Sequence, residues 1–217
     1  MSDLTQEVSK VEVKGFEARH YDLLMNLLTF GWYPSFIGRA IGDMGLKPGE
    51  KVLDMGAGTG RNALLIQEKI GDDGRITALE IGEEMKAQFL KKCAPYPNIE
   101  LVDRRIDEPL PYEEAYDVVF ISFVLHGFIQ PKREIIVQNA YKALKPGGRF
   151  CILDYNNFDV ERAVWYVKAA IRHIECPLAE DFIRRDTVSM LTPFGFGRFR
   201  TNTYFQGYLR LLTAYKL

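Results

Sequence analysis

The sequence has 217 residues, 47% hydrophobic and 26% charged, with 28 Lys and Arg against 29 Asp and Glu for a formal net charge of −1. That balance excludes a large nucleic-acid footprint, and the length suits a single α/β domain that buries its own core without metal or disulfide staples. Cys93, Cys151 and Cys176 form neither a CxxC pair nor an even framework, which points to a reducing cytosol. Residues 1–14 lack the apolar core of a signal peptide, and no run approaches the roughly 18 apolar residues of a spanning helix. A cytoplasmic protein is expected.

In chain order, residues 1–14 read as a charged lead-in, and 16–44 as helical, interrupted at Gly31 and Pro34. Its first part is amphipathic, through Tyr21, Leu24 and Leu28 and through Ala18 and Met25; its second part runs from Ser35 to Met44. A regular alternation follows: strand 51–55, helix 61–70, strand 75–80, helix 83–93, strand 99–103. Residues 117–122 (DVVFIS) form a continuous apolar run suited to the buried centre of a parallel sheet. Helix 133–144 closes at Lys145-Pro146-Gly147-Gly148, and strand 149–154 follows. Helices at 158–173 and 178–191 and a hairpin at 198–205 and 208–217 complete the chain. This rhythm implies an open doubly wound sheet, with ligands at the carboxyl ends of its strands.

The densest signal is Asp54-Met55-Gly56-Ala57-Gly58-Thr59-Gly60-Arg61, between the first strand and its helix. Glycines here allow positive φ and close approach to a ligand, and a helix N-terminus favours an anion. The dinucleotide fingerprint asks for a small residue about five positions after its first glycine; Arg61 stands there, which disfavours a nicotinamide oxidoreductase. The acid-x-Gly-x-Gly-x-Gly pattern suits a ligand with an amino-acid end, its carboxylate on the loop and helix N-terminus and its ammonium on Asp54. Glu80 closes the second strand about 20 residues beyond the last glycine, where an acid accepts from both ribose hydroxyls.

With VLDMGAGTGR, ITALEIGEEM, IDEPLPY, YDVVFISFVLHGF and ALKPGGRFCILDY, residues 51–154 resemble class I S-adenosylmethionine (SAM)-dependent methyltransferases. Within that class the chain is most similar to the ubiquinone/menaquinone C-methyltransferase family, through ARHYDLLMNLLTFG, FISFVLHGF and the Tyr-Lys-apolar end. The resemblance implies a Rossmann-like α/β fold with a mostly parallel seven-stranded sheet, an antiparallel carboxyl-terminal hairpin and helices on both faces. It implies one domain over 1–217: a helical cap (1–45), a SAM-binding core (46–154), a second cap segment (155–195) and the hairpin (196–217). Asp54, Gly56, Ala57, Gly58 and Gly60 would cradle the methionine moiety, Glu80 the ribose and Ile81 the adenine. The acid that meets the adenine amino group in the family falls at Ile106 by strict alignment and at Asp107 one place later. Ser122 and Phe123 would lie beside the sulfonium, and Tyr21, with His20, would close over the cofactor.

His126, on the loop after the fourth strand, is the candidate base; satisfying loop backbone is its competing role. The quinone family carries a different, often Arg-Asn-like, pair there. His173 falls on a helical surface pattern, and the three histidines have no ligand-like spacing, so no catalytic metal is expected. Trp32, Tyr33, Phe36, Trp165, Tyr166 and Phe182 are candidates for an apolar substrate mouth as well as for core. The acceptor expected is a small lipophilic molecule, foremost a quinone-ring carbon, met without a transmembrane segment and compatibly with peripheral membrane contact. Two alternatives stand beside it: N-methylation of a phospholipid headgroup or other small amine, and a non-catalytic SAM-binding regulator.

Overall fold

In the computed structural model, residues 32–173 and 176–217 are described, without the side chains of Trp32, Tyr33 and His173. The expected amphipathic helix before Gly31, with His20 and Tyr21, lies outside them. The first described helix, α1, is Trp32–Asp43. Pro34 does not break it, because it sits in the first turn, where a missing N–H has no helical partner to lose.

The core alternates strand and helix: β1 Lys51–Met55, α2 Arg61–Ile70, β2 Arg75–Leu79, α3 Glu83–Cys93, β3 Ile99–Val102, β4 Tyr116–Ser122, α4 Gln130–Ala143 and β5 Leu144–Tyr155. Among the described residues β6, Phe196–Tyr204, and β7, Leu209–Lys216, complete a seven-stranded sheet of order β3-β2-β1-β4-β5-β7-β6. Strands β1 to β5 pair in parallel and β7 runs antiparallel to both β5 and β6. The Rossmann-like class I fold is therefore present. Strand order reverses beside β1, whose neighbours are β2 and β4, so the crevice for a ligand opens at the ends of β1 and β4.

Burial explains the central strands. Val118, Val119 and Phe120 in β4 and Val52 and Leu53 in β1 have no solvent exposure, and the two sheet faces carry separate apolar clusters. One face takes α1, α2 and α3; the other takes α4 and the segment after β5. No helix among the described residues is long and apolar enough to cross a membrane.

Beyond shifts of one to three residues at element ends, two departures from expectation have local reasons. The Lys145-Pro146-Gly147-Gly148 stretch opens β5 rather than standing before it, because Leu144 still pairs with Tyr116 across a register irregularity. Each long helix expected after β5 is divided. A 3-10 turn, Val160–Arg162, precedes α5, Trp165–His173, and α6, Pro177–Arg184, is separate from α7, Thr187–Leu191. Asp stands at two N-caps: Asp159 accepts from the N–H of Glu161 at the start of the 3-10 turn, and Asp186, at the break between α6 and α7, from that of Val188.

Candidate active site

The chain leaves β1 through a loop in which Gly56, Gly58 and Gly60 have φ of 81°, 56° and 83°. At Gly56 packing reinforces the choice, since a Cβ would lie 2.9 Å from the Val124 side chain on the loop after β4. At Gly58 a Cβ would meet nothing within 4 Å among the described residues, which leave this backbone room for a ligand. The loop is anchored from behind: Gly56 and Ala57 both donate to the Leu79 carbonyl, at 2.9 and 3.0 Å. Ala57 thus ties the loop to β2. Helix α2 then starts at Gly60 without a side-chain cap, and its N-terminal field falls on the loop.

Asp54, in β1 beside this loop, is 1% exposed. Burial, with the neighbouring Glu80 charge as a lesser cause, pushes its carboxyl up to about 7. Its Oδ2 is buried and finds no hydrogen-bond partner among the described residues. A buried acceptor without a donor costs on the order of 1–3 kcal/mol, and a buried charge without a counter-charge costs more. An ammonium placed against Oδ2 removes both penalties.

Glu80 follows β2 and is held, among the described residues, by backbone N–H groups. Its Oε1 accepts from the N–H groups of Ile81 and Gly82 at 2.9 and 2.8 Å, and its Oε2 from that of Gly58 at 2.9 Å. A carboxylate offers about four acceptor sites, so Oε2 retains capacity for a hydroxyl donor. Ile81, half-buried, comes directly after it. The orphaned Asp54 oxygen, the open face of Gly58 and the pre-set Glu80 carboxylate fit the amino-acid and ribose ends of SAM.

The loop after β3 forms the next wall. Ile106 and Asp107 are buried, and the Asn139 amide from α4 donates to the carbonyls of Ile106 and Glu108 while accepting from the Leu110 N–H. The Asp107 carboxylate is engaged by Arg105 at 3.0 and 3.3 Å and by Lys132 at 3.2 Å. Burial works against its charge, but those hydrogen bonds hold its carboxyl below the usual range.

After β4, Ser122 is followed by Phe123 in a left-handed conformation, φ 53°, with its N–H on the Leu153 carbonyl at 2.9 Å. Such backbone costs about 1–3 kcal/mol in a non-glycine residue and persists where surroundings enforce it. The result directs Phe123 toward Phe36 and Tyr155, at ring separations of 6.3 and 6.4 Å. A 3-10 turn, Leu125–Gly127, then carries His126. Its Nδ1 lies 2.8 Å from Asp154 Oδ1, its backbone N–H donates to Oδ2 at 3.2 Å, and its ring packs edge-on to Tyr155 at 5.2 Å.

Several participants were invisible as site residues in the sequence. Asp154, 1% exposed, closes the inner part of β5, and the rule that ligands gather at the carboxyl ends of strands singles it out. Arg133 is completely buried; its guanidinium reaches Asp181 at 2.7 Å and the carbonyls of Leu125, His126 and Leu178 at 3.3, 3.1 and 2.9 Å. Phe182 lies 5.2 Å beneath that guanidinium and is core, whereas Trp165 and Tyr166 are 81% and 50% exposed. Among the candidate mouth aromatics whose side chains are described, Phe36 packs with Phe123, Tyr204 and Phe205. Tyr21 lies outside the described residues, and no cluster of metal-ligating side chains occurs among those described.

A sheet of this order is the Rossmann-like class I fold, here with an acid at the penultimate position of β1, a glycine loop after that strand and an acid after β2. Residues 52–148 match the family model described as Methyltransferase domain. The chain is 30% identical over 165 residues to a 2-phytyl-1,4-beta-naphthoquinone methyltransferase of Arabidopsis thaliana, covering 73% of this chain and 62% of that protein. It is 29% identical over 148 residues to a ubiquinone/menaquinone biosynthesis C-methyltransferase of Enterobacter sp. (strain 638), covering 66% and 58%. The chain thus spans less than two thirds of either relative. A SAM dependent methyltransferase from Aquifex aeolicus superposes with a TM-score of 0.64 at 20% identity, over 83% of this chain and 89% of that one. The chain thus has the class I methyltransferase fold, and over part of its length it is similar to a methyltransferase domain and to quinone-directed methyltransferases.

Proposed function

We propose that this chain moves a methyl group from SAM to a small lipophilic acceptor, foremost a quinone-ring carbon, with His126 as the base. One observation carries the reading: Asp54 Oδ2 is buried without a donor among the described residues, on β1, and the neighbouring strand β4, which pairs with β1, leads directly into the loop that carries Phe123 and His126. The names of the two quinone-directed relatives support the choice of acceptor.

When bound, SAM supplies an electrophilic methyl group on a sulfonium. In this reading Asp54 takes the amino group, the N-terminus of α2 the carboxylate and Glu80 the ribose hydroxyls. Ile81 covers the adenine, and the Ile106–Asp107 loop meets its edge. Ser122 and Phe123 border the reacting centre. Methyl transfer in line depends on alignment and a dry site, which Phe36, Phe123 and Tyr155 provide by excluding water. A peripheral position at a membrane, within the cytoplasm, belongs to the same proposal. The exposed pair Trp165 and Tyr166, on the cap segment, supports it.

Two measurements test the proposal. SAM at saturating concentration is expected to raise the melting temperature while NAD leaves it unchanged; a shift with NAD alone sinks the cofactor assignment. Labelled SAM with a host lipid extract is expected to label the quinone fraction. Label in amine headgroups alone would transfer the assignment to N-methylation, and no label in any lipid fraction would remove the lipophilic acceptor.

A further inference from the structure

The turn between β6 and β7 sits at the ligand end of the sheet. Leu209, which opens β7, pairs both with Tyr155 at the carboxyl end of β5 and with Tyr204, which closes β6. Phe205, Gln206 and Gly207, in the turn itself, have φ of 49°, 57° and 90°. A tight turn joining right-twisted strands needs positive φ at its centre, and Gly, Asn or Asp ordinarily supplies it. Gly207 meets that need at no steric cost, but a phenylalanine held left-handed is strained. Its surroundings enforce the conformation. Asn156 donates from its side chain to the Gly207 carbonyl at 2.8 Å and from its backbone to that of Tyr208 at 2.9 Å, and the Tyr208 N–H donates to the Phe205 carbonyl at 3.1 Å. The Tyr208 hydroxyl accepts from the Val164 N–H at 3.1 Å, which ties the turn to the segment before α5.

Turn geometry accounts for the backbone but not for the choice of Phe. Core packing does not account for it either, since Phe205 is 43% exposed, whereas its neighbour Tyr204 is 7% exposed and donates its hydroxyl to Asp43 at 2.7 Å. What distinguishes Phe205 is its place in a row of rings. It meets Phe36 edge-on at 5.0 Å, and Phe36 meets Phe123, directly after β4, at 6.3 Å. The row runs from the end of β4 out to solvent, with Phe205 as its outer member. A strained backbone in such a place points to function. From this geometry we infer that Phe205 is a specificity-determining residue: it holds the part of the acceptor that projects away from the methylated atom, and it favours acceptors with a flat apolar extension there over those that end at the reacting ring. The inference rests on the methyl-transfer reading above and deepens its acceptor site. Phe205 takes no part in bond making; it acts on acceptor binding, through edge and face contacts that a second ring can return.

Two hydroquinones that differ in that extension are the probes: naphthohydroquinone, with two fused rings, and benzohydroquinone, with one. The parent is expected to prefer the two-ring compound in kcat/KM. Phe205→Ala should lower that preference about five- to tenfold, through KM and not kcat, the order of one lost ring contact. Phe205→Tyr should restore it. Calorimetric binding of both compounds to the protein saturated with S-adenosylhomocysteine reads the same ratio without turnover. A preference in Phe205→Ala within twofold of the parent's, or a fall in kcat of equal size on both compounds, overturns the inference while leaving the methyl-transfer reading intact. A second variant separates specificity from packing. Phe205→Gly relieves the left-handed backbone and gives up the ring, so its melting temperature is expected within about 3 °C of the parent's. A drop of about 6 °C or more would mean that the ring is kept for stability, and overturns the inference. A parent that gives the SAM-dependent melting shift but binds neither hydroquinone removes the lipophilic acceptor, and the role of Phe205 falls with it.

Discussion

Replacing Asp54 by Asn is expected to make the ligand-free protein more stable at pH 8 and nearly blind to SAM. The two effects have one origin. The Asp54 carboxyl is pushed up to about 7 by burial and by Glu80, against an ordinary value of 3.8. Below pH 3.8 the folded and unfolded chains both hold the proton, and no penalty exists. Between there and about 7 the unfolded chain releases it while the folded chain keeps it, so stability falls as pH rises. Above about 7 the loss is complete, and at 1.36 kcal/mol per unit it amounts to roughly 4 kcal/mol. Asparagine carries no such charge, although its amide also lacks a ready partner, so a gain of about 2–4 kcal/mol at pH 8 and none at pH 4 is expected.

Binding should show the opposite preference. An ammonium needs the Asp54 carboxylate, so SAM affinity should rise by up to about tenfold per pH unit as pH increases toward 7 and level off above it. Asp54→Asn should lose that slope together with about 100-fold or more in affinity at pH 8, the cost of leaving a charge unpaired in a buried site. Thermal unfolding with and without SAM at pH 5.5, 7 and 8.5 reads both halves. A parent whose SAM shift is the same at every pH would mean that Asp54 does not meet the amino group.

The second large effect is expected at Arg133, far from where a surface helix would place it. Removing its side chain takes a donor from three backbone carbonyls, those of Leu125, His126 and Leu178, of which Leu125 keeps the Phe128 N–H, and leaves Asp181 short of one partner. Arg133→Ala should therefore cost about 3–5 kcal/mol, or roughly 10 °C at the 2–4 °C per kcal/mol usual for this size. The ion pair itself is the smaller part. Asp181 retains 21% side-chain exposure and also pairs with Arg185, so Asp181→Asn should cost about 1 kcal/mol or less. Arg133→Lys should stay close to Ala, because an ammonium cannot reach three carbonyls spread over a 3-10 turn and a separate helix. A chemical-denaturation series with Arg133→Ala within 1 kcal/mol of the parent would refute the bracing role.

The contrast between these two residues shows what a sequence discloses. Asp54 was readable because its chemistry follows from its place: the end of an apolar strand, directly before alternate glycines. Helices α2 and α3 were readable to the residue, since periodicity and flanking glycines agreed there. Arg133 was not readable as a site residue, since a cation in a helix is ordinarily solvated. Only its phase with buried Ile136, Val137 and Ala140 hints that it enters the core. Asp154 was placed correctly at a strand end, but its partner His126 lies 28 residues earlier, and only the parallel pairing of β4 with β5 brings them together. Asp159 and Asp186 were read as helix interior because an N-cap is defined by the backbone that follows it, not by the residue alone.

Glu80 carries a last consequence. Free glutamate side chains sample many rotamers, and fixing one costs up to about 1.5–2 kcal/mol. Here three backbone N–H groups from two loops have already fixed it during folding. A ribose therefore meets an acid whose disorder has been removed beforehand, and up to about a tenfold to thirtyfold gain in affinity remains that a freely rotating side chain would forfeit. The bond from Gly58 joins the loop after β1 to the loop after β2, where the other two hold the same carboxylate, so a hydroxyl bound at one is felt at the other.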